Sequence, residues 1–384
     1  MRRELVIIDG FNLIFRVFYA VPGMHTKDGK PANALFGYTR ALMKILQSEA
    51  AYIVIAFDSG GETFRSEVDK NYKAQRDGMP SDLMSQMDAI FEVTNLLQIP
   101  WMTAPGFEAD DIIGTLVRKY EKTMEKVLIV SSDKDLFQFV WGSTYVYDAM
   151  KGMEYDVAEA VKKFAVQPHQ IVDYLALIGD TSDNIPWVRW IGPKTAIKLL
   201  EDYKTLDNIL ENLNKLSPKL QALISDGDSA RKSQFLATIR TDVPLSVDMV
   251  NLAREHSNIT YTPELVEFLQ QYEFRSLLPN HHEWNHTAFT LKAPPTVIDS
   301  TMTSDILKRI QSNEPYSFVT SGDKKLENYS IAFSLEESYI GSVSTPWTKE
   351  FLTEMIRKPG NMTTYDWKTS LRRILFLLKK IENI

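Results

Sequence analysis

Three short, continuous apolar runs punctuate the first 130 residues: Leu5-Val6-Ile7-Ile8, Tyr52-Ile53-Val54-Ile55-Ala56-Phe57 and Lys126-Val127-Leu128-Ile129-Val130. Each has the length of a strand and no polar alternation, which predicts strands buried on both faces. Between them, apolar residues recur at helical spacing from Asn33 to Glu49, from Ser81 to Gln98 and from Glu108 to Tyr120. Such alternation predicts an α/β fold with a mostly parallel sheet. One stretch breaks the pattern. From Phe64 to Pro80 the chain is polar and charged, carries Arg65, Lys70, Lys73 and Arg76, and has no apolar stripe.

Beyond about Asp156 the periodicity turns mainly helical, to about Leu278. An apolar helical face from Ile171 to Ile178 ends at Gly179-Asp180-Thr181-Ser182-Asp183-Asn184. Further on, Gly192-Pro193 opens a lysine-bearing helix whose first backbone N–H groups are available to an anion. Residues 281–295, which include Pro294-Pro295, read as a linker. Residues 296–384 again mix short strand-like and helical runs. The expected domains are therefore 1–155, 156–280 and 296–384.

Acidic residues collect where the strands end. Asp9 and Asp58 follow the first two runs, Asp133 and Asp135 follow the third, and Glu108, Asp110 and Asp111 crowd one helix start. In an open parallel sheet, ligands bind at the carboxyl ends of the strands. Any one of these acids has an ordinary reading, as a turn residue or as a favourable charge on a helix dipole. Packed together they would repel, and such a cluster needs protons, basic partners or a divalent metal. Oxygen ligands suit Mg²⁺ or Mn²⁺, and Asp180 with Asp183, at i and i+3, would add to the set if it abuts the first group. Nine acids suffice for two ions, which could support an in-line displacement at phosphorus.

Composition narrows the picture only slightly. A chain of 384 residues with 44% hydrophobic residues exceeds one ordinary domain, and the absence of cysteine excludes disulfides and thiolate metal sites. The amino-terminal apolar run is too short for a signal sequence or a membrane span, so a soluble cytoplasmic protein with no membrane partner is expected. A net charge of -7 argues against a simple nucleic-acid coat protein. It leaves a nuclease open, because metal-binding acids lower the total while basic residues gather locally.

The motifs Ile8-Asp9-Gly10, Phe57-Asp58, Tyr72-Lys73-Ala74-Gln75-Arg76, Gly106-Phe107-Glu108-Ala109-Asp110-Asp111, Ser132-Asp133-Lys134-Asp135-Leu136, Gly179-Asp180-Thr181-Ser182-Asp183-Asn184-Ile185-Pro186 and Ile191-Gly192-Pro193-Lys194-Thr195-Ala196 occur in one order over about residues 4 to 278. As an ordered set they resemble the 5′ nuclease domain at the amino terminus of bacterial DNA polymerase I, within the flap endonuclease family. The resemblance implies a PIN-like sheet with a helical arch and a helix-two-turn-helix subdomain. It implies that Asp9, Asp58, Glu108, Asp110, Asp111, Asp133, Asp135, Asp180 and Asp183 ring a site for two Mg²⁺ ions, with Mn²⁺ as a substitute. It also assigns residues 64–80 to the arch, Lys73, Arg76 and Arg16 to the catalytic region, and the Tyr72 ring to base stacking. Lys134, counted among the nucleic-acid contacts, would otherwise balance its flanking acids or simply solvate a loop. Lys194, Thr195 and Lys198 would hold duplex DNA by its backbone, and K⁺ is the monovalent candidate at the hairpin. The implied activity is structure-specific 5′-3′ cleavage of DNA carrying a 5′ flap, nick or primer RNA, by a monomer. A flap-binding module with weakened catalysis is the alternative; a metal-dependent phosphomonoesterase is a third reading.

Two departures stand out. Where the family pattern has glycines before Ile191-Gly192, this chain has Trp187 and Trp190. Glycine permits positive φ and close approach to phosphate, which tryptophan does not offer easily, so the hairpin geometry, any monovalent cation held by its carbonyls and duplex affinity are the properties at issue; the alternative is that the indoles stack or wedge at a DNA junction. Residues 296–384 resemble the start of the 3′-5′ exonuclease-like domain that follows in DNA polymerase I, an incomplete ribonuclease-H-like α/β domain. In its first strand, Phe318-Val319-Thr320-Ser321 lacks the Asp-x-Glu pair of a working proofreading site, and Thr364-Tyr365-Asp366-Trp367-Lys368 gives no clear match to the next acidic motif. A degenerate domain is expected.

Overall fold

The computed structural model describes residues 2–21, 23–76, 78–188, 190–224, 227–254 and 259–279, and, beyond them, 296–297, 302–312, 316–321, 328–332, 338–342 and 362–363. Contacts divide the chain into two units, Met1–Asn280 and His281–Ile384. The boundary expected at 155/156 therefore falls inside the first unit, and the expected linker lies outside the described residues.

The three apolar runs are the central strands. β1 (Arg2–Asp9) leads into α1 (Gly10–Ala20) and α2 (Asn33–Leu46), then β2 (Ala50–Ala56). Short helices α3 (Phe64–Val68) and α4 (Ser81–Met84) precede α5 (Met87–Leu96) and the edge strand β3 (Trp101–Met102). Next come α6 (Ala109–Tyr120), β4 (Lys126–Val130), β5 (Thr144–Asp148) and β6 (Met153–Tyr155). The sheet order is β3-β2-β1-β4-β5-β6, parallel throughout except for β6. Leu5 and Ile7 pack into the core on one face while Val6 and Ile8 pack into the core on the other, so a run without alternation is buried twice. Register places Asp9 opposite Ala56, and Ile8 opposite Val130, which brings the three strand ends to one edge.

The helical part runs through α7 (Val157–Phe164), α8 (Ile171–Ile178), α9 (Pro193–Tyr203), α10 (Leu206–Glu211), α11 (Pro218–Ile224), α12 (Gly227–Ala237) and α13 (Pro263–Gln271). α8 packs against α9 and α12, and Leu175, Leu199 and Leu236 join the same core as Leu5 and Ile129. That shared core explains why residues 1–280 form a single unit. The predicted helix from Ser81 to Gln98 is broken into α4 and α5 around Ser85-Gln86, where the buried Gln86 side chain bonds Leu35 N, Asn33 and Asp82 O.

Residues 64–80 differ from the expected arch. Only α3 is helical; residues 70–75 are turns, and Lys73 stands at φ 54. The segment is instead laid against the loop after α8: Lys73 N donates to Asp183 O (2.9 Å), Asn184 Nδ2 to Asn71 O (2.7 Å) and Gln75 Nε2 to Thr181 O (2.8 Å). Inter-segment bonds to these carbonyls replace the ladder a continuous helix would need.

In the second unit the described strands are β7 (Thr296–Val297), β8 (Tyr316–Ser321), β9 (Asn328–Ala332), β10 (Ser338–Ser342) and β11 (Met362–Thr363), with one helix, α14 (Thr303–Gln311). Its sheet has the order β11-β8-β9-β10-β7; β8, β9 and β10 form an antiparallel meander and the two outer strands pair in parallel. Phe318-Val319-Thr320-Ser321 lies in β8, while 364–368 lies outside the described residues.

The loop after α8 depends on Gly179, at φ 72, where an added Cβ would stand 2.8 Å from Ile185 O and 2.9 Å from Trp187 N. Both atoms belong to backbone and cannot swing away. Gly179→Ala is expected to destabilise the first unit by about 2–4 kcal/mol, combining left-handed strain with overpacking. Urea unfolding measures it, and a loss below ~0.5 kcal/mol would contradict this account of the loop.

Candidate metal and nucleic-acid site

The acids at the sheet edge are fixed by backbone donors before any ligand is considered. Asp9 closes β1 and caps α1, accepting from Asn12 N (3.2 Å), while its other oxygen accepts from Ser131 Oγ (2.8 Å). Asp58 accepts from Ala109 N (2.7 Å) at the start of α6. Glu108 and Asp111 form a reciprocal capping box there, with Glu108 N donating to Asp111 Oδ2 (3.1 Å). Asp133 accepts from Asp135 N (3.0 Å), and Asp180 from Ser182 N (2.8 Å). Side-chain-to-backbone bonds of this kind lock rotamers and aim the remaining oxygens.

Oxygens of Asp135, Asp180 and Asp183 all lie within 4.8 Å of one another, and all three residues are buried. Asp135 Oδ1 is buried with no hydrogen-bond partner. An orphaned carboxylate oxygen in such a trio fits a hard cation, which would satisfy it without a proton. Electrostatic repulsion ties the other acids to this group. Burial, Asp133 and Asp58 push Asp9 up to about 7, despite its bond from Ser131. Burial and the charges of Asp133 and Asp9 hold Asp110 well above the usual carboxylate range. Asp135 is raised in the same way by burial, Asp133, Asp183 and Asp180, and burial also raises Asp133.

Basic side chains offset part of this. Lys73 Nζ lies 3.0 Å from Glu108 and 3.6 Å from Asp183, Arg76 pairs with Asp183 at 2.5 Å, and Lys134 pairs with Asp180 at 2.6 Å. Burial works against the charge on Lys73, but Asp183 and Glu108 outweigh it and raise its pKa. Burial would also raise Asp180; hydrogen bonds from Lys134 and Ser182 prevail and hold it below the carboxylate range. Lys134 thus balances a buried acid rather than solvating a loop.

Three sequence expectations are altered by this geometry. Asp111 is fully buried and both its oxygens are engaged by the Arg65 fork (2.7 and 2.8 Å), with Arg240 N adding a third bond at 2.8 Å. Its carboxylate is thus committed to a buried bidentate pair within the fold. The Tyr72 ring is buried, and its hydroxyl donates to Glu108 (3.0 Å) and approaches Asp183 at 3.3 Å, so the ring offers no open face for a base. Arg16 pairs with Asp148 at the end of β5 (2.8 Å) rather than with the acid cluster. Lys194 and Lys198 are exposed on one face of α9, and Thr195 is half-buried beside them. Trp187 and Trp190 are 58% and 73% exposed; of the two, Trp190 has φ in the left-handed region, at 66°.

Arg65 is the buried ion-pair partner of the acids that sequence reasoning missed. It lies in the charged stretch, yet it is 2% exposed and uses every N–H: to Asp111 twice, Glu108 (3.2 Å), Leu236 O (3.0 Å) and Thr238 O (2.9 Å). The only sequence signal was its place beside Phe64, over whose ring the guanidinium sits at 4.5 Å. Its neighbours Leu236 and Thr238 are 171 and 173 residues away, which no local pattern reveals.

Acids gathered at one edge of a parallel sheet and interleaved with cations make a candidate divalent-metal centre. Two family descriptions match in tandem: a 5′-3′ exonuclease N-terminal resolvase-like domain over residues 4–165 and a 5′-3′ exonuclease C-terminal SAM fold over 166–260. The chain belongs to the 5′-3′ exonuclease family. It is 35% identical over 277 residues to a 5′-3′ exonuclease of Aquifex aeolicus, covering 72% of this chain and 94% of that one. It is 32% identical over 382 residues to DNA polymerase I of Caldicellulosiruptor bescii, covering 97% of this chain and 44% of the relative, and 38% identical over 285 residues to that of Rhizobium leguminosarum, covering 71% and 28%. The chain thus spans less than half the length of these two polymerase relatives. A solved structure of T5 5′-exonuclease with bound divalent metal ions (zinc) shares the fold, with a TM-score of 0.53, 22% identity, and coverage of 71% of this chain and 98% of that one. Among the described residues no helix is long and apolar enough to cross a membrane.

Two outcomes follow from the electrostatics. Asp9 has its pKa raised in the fold, so its protonated form contributes stability that is lost as pH rises from about 4 to about 7. Measured against Asp9→Asn, chelated wild type should therefore lose thermal stability across that window, and added Mn²⁺ should restore it with proton release on binding, read by calorimetry in two buffers of different ionisation enthalpy. A difference in melting temperature between wild type and Asp9→Asn that does not change from about pH 4 to 7 without metal would contradict this. Separately, Arg65→Ala should cost about 3–5 kcal/mol by leaving Asp111 buried and unpaired. Arg65→Lys should recover only part of it, because lysine cannot make the fork; chemical denaturation of both variants tests this.

Proposed function

We propose that this chain is a structure-specific 5′-3′ exonuclease and flap endonuclease that hydrolyses phosphodiesters of DNA, and of primer RNA, in primer removal and DNA repair. The observation that carries the proposal is the orphaned Asp135 oxygen within the buried Asp135-Asp180-Asp183 trio, at the same sheet edge as Asp9, Asp58, Glu108, Asp110 and Asp133. These eight acids are the proposed ligands of two Mg²⁺ ions, and Asp111 is proposed to hold Glu108 and Arg65 in register. Bound there, the ions would supply Lewis acidity toward the phosphate and lower the pKa of the attacking water.

The chain's own groups supply the rest. Lys73 and Arg76 lie against the acids on the turn segment 70–76, where cations can receive a phosphodiester once a metal neutralises Glu108 and Asp183. Lys194 and Lys198 on α9 are suited to duplex phosphates away from the reacting bond, giving sequence-independent and salt-sensitive binding. Whether polymerase segments accompany this one in a longer protein is suggested by the relatives and belongs to the same proposal.

A 5′-labelled flap duplex with Mg²⁺ tests the activity. Cleavage near the single-strand to double-strand junction is expected, leaving a 5′-phosphate and a 3′-hydroxyl. Asp110→Ala/Asp133→Ala should lose about 10³-fold or more in rate while still binding. Hydrolysis of small phosphate esters without any dependence on DNA structure would instead favour a phosphomonoesterase.

A further inference from the structure

A cavity of about 570 Å³ opens beside the acid cluster, between the turn segment after α3 and the loop after α8. Its walls include Asp69, Asn71, Gln75, Asp180, Asn184 and the exposed indole of Trp187. We propose that this cavity receives one unpaired nucleobase of the substrate strand, stacked on Trp187, immediately beside the reacting phosphate. The inference rests on the nuclease reading above and adds to it a base-holding subsite.

Charge decides against a phosphate as occupant. No lysine or arginine is among its described walls, and its carboxylates, Asp69 and Asp180, are already paired with Lys232 (2.9 Å) and Lys134 (2.6 Å), so the walls carry no net positive charge to hold a phosphate. The amides reinforce this. Gln75 Nε2 donates to Thr181 O (2.8 Å) and Ser182 O (3.5 Å), which leaves its carbonyl oxygen, while Asn184 Nδ2 gives one N–H to Asn71 O and keeps a second N–H and a carbonyl oxygen. An acceptor-rich wall with an aromatic side complements a flat ring bearing N–H donors, which describes a nucleobase and neither a phosphate nor a sugar.

Trp187 is also held as a platform rather than left on a loose loop. Asp180 and Ile185 exchange backbone bonds (3.0 and 2.8 Å), Ser233 Oγ donates to Pro186 O (2.7 Å), and Val188 N donates to Leu177 O (3.0 Å). The backbone is thereby pinned on both sides of the indole while the ring itself remains 58% exposed. A large aromatic kept rigid and exposed loses little entropy on stacking. Asp180 belongs both to the cavity wall and to the acid trio, so a base in the cavity lies next to the proposed metal ligands.

The test uses the full chain and 5′-flap duplexes in Ca²⁺, with binding followed by titration and by quenching of indole emission. An abasic nucleotide is scanned one position at a time along the unpaired strand. Trp187→Ala should weaken binding of the intact flap about tenfold (~1.4 kcal/mol), within the range of base-aromatic stacking, and Trp187→Phe should recover most of it. At one scan position the abasic flap should weaken wild type by a similar factor and leave Trp187→Ala unaffected. Additive losses at every position, or Trp187→Ala binding like wild type, would overturn the subsite. Failure of wild type to cut any flap in Mg²⁺ would overturn the nuclease reading and this inference with it. Cutting by wild type together with additive losses would overturn the subsite alone.

Discussion

Mutual repulsion among carboxylates at the carboxyl edge of the sheet is the constraint that orders the rest of this molecule. Parallel strands β1, β2 and β4 end together, and the chain places acids just past those ends. Nothing in strand packing requires this, and like charges brought so close oppose folding. The fold answers in three ways: raised pKa at Asp9, Asp110 and Asp135, backbone N–H groups on acids at helix and turn starts, and basic side chains delivered from distant segments. Each answer also fixes geometry, so the means of tolerating the charge and the means of aiming it are the same bonds.

The delivered cations account for the architecture between the sheet and the helical part. Segment 64–76 would be an ordinary exposed connection by composition, yet Arg65 reaches back to Asp111 and across to Leu236 O and Thr238 O, while Lys73 and Arg76 reach Asp183. Arg240 N closes the circle by donating to Asp111. The strands, the charged segment and the helical part are thus cross-tied around one buried ion pair, and the first 280 residues behave as one unit although the two family descriptions divide them at 165/166. A buried pair of this kind contributes little net stability relative to apolar residues, but removing one member leaves a charge with no compensation. Its value here is orientation of Glu108, whose backbone N–H and side chain both touch the pair.

What could be read from sequence follows the range of the forces involved. The parallel sheet and its acids were legible, because an apolar run buried on two faces and a polar residue at its end are both local signals. The length of the amphipathic element after Ser81 was not, since Gln86 interrupts it through bonds to Asn33 and Leu35, about fifty positions upstream. The same limit explains Asp111, Tyr72 and Arg65. Composition marked all three as polar or amphipathic, but which of them is spent on internal partners depends on segments brought in from residues 183 to 240. The tryptophans divide similarly: both were read as replacements at glycine positions, and of the two, Trp190 alone occupies a conformation that glycine would favour.

The uneven protonation of the cluster gives a reason for its mixture of lysines and acids. If every acid were paired with a cation, a metal would have to displace salt bridges throughout; if none were, the site would fill with protons near neutrality. Instead Asp180 is held ionised by Lys134, while Asp9, Asp110 and Asp135 are pushed toward their neutral forms by burial and by one another. A divalent ion held by these acids would displace protons from the members whose pKa is raised and would compete with Lys134 at Asp180, so its binding would be coupled to pH. Lys73, 20% exposed and shared between Glu108 and Asp183, is placed where a metal on those acids would free it to pair with a phosphate. The acids proposed to hold a metal and the bases proposed to meet the substrate therefore neutralise one another in this structure.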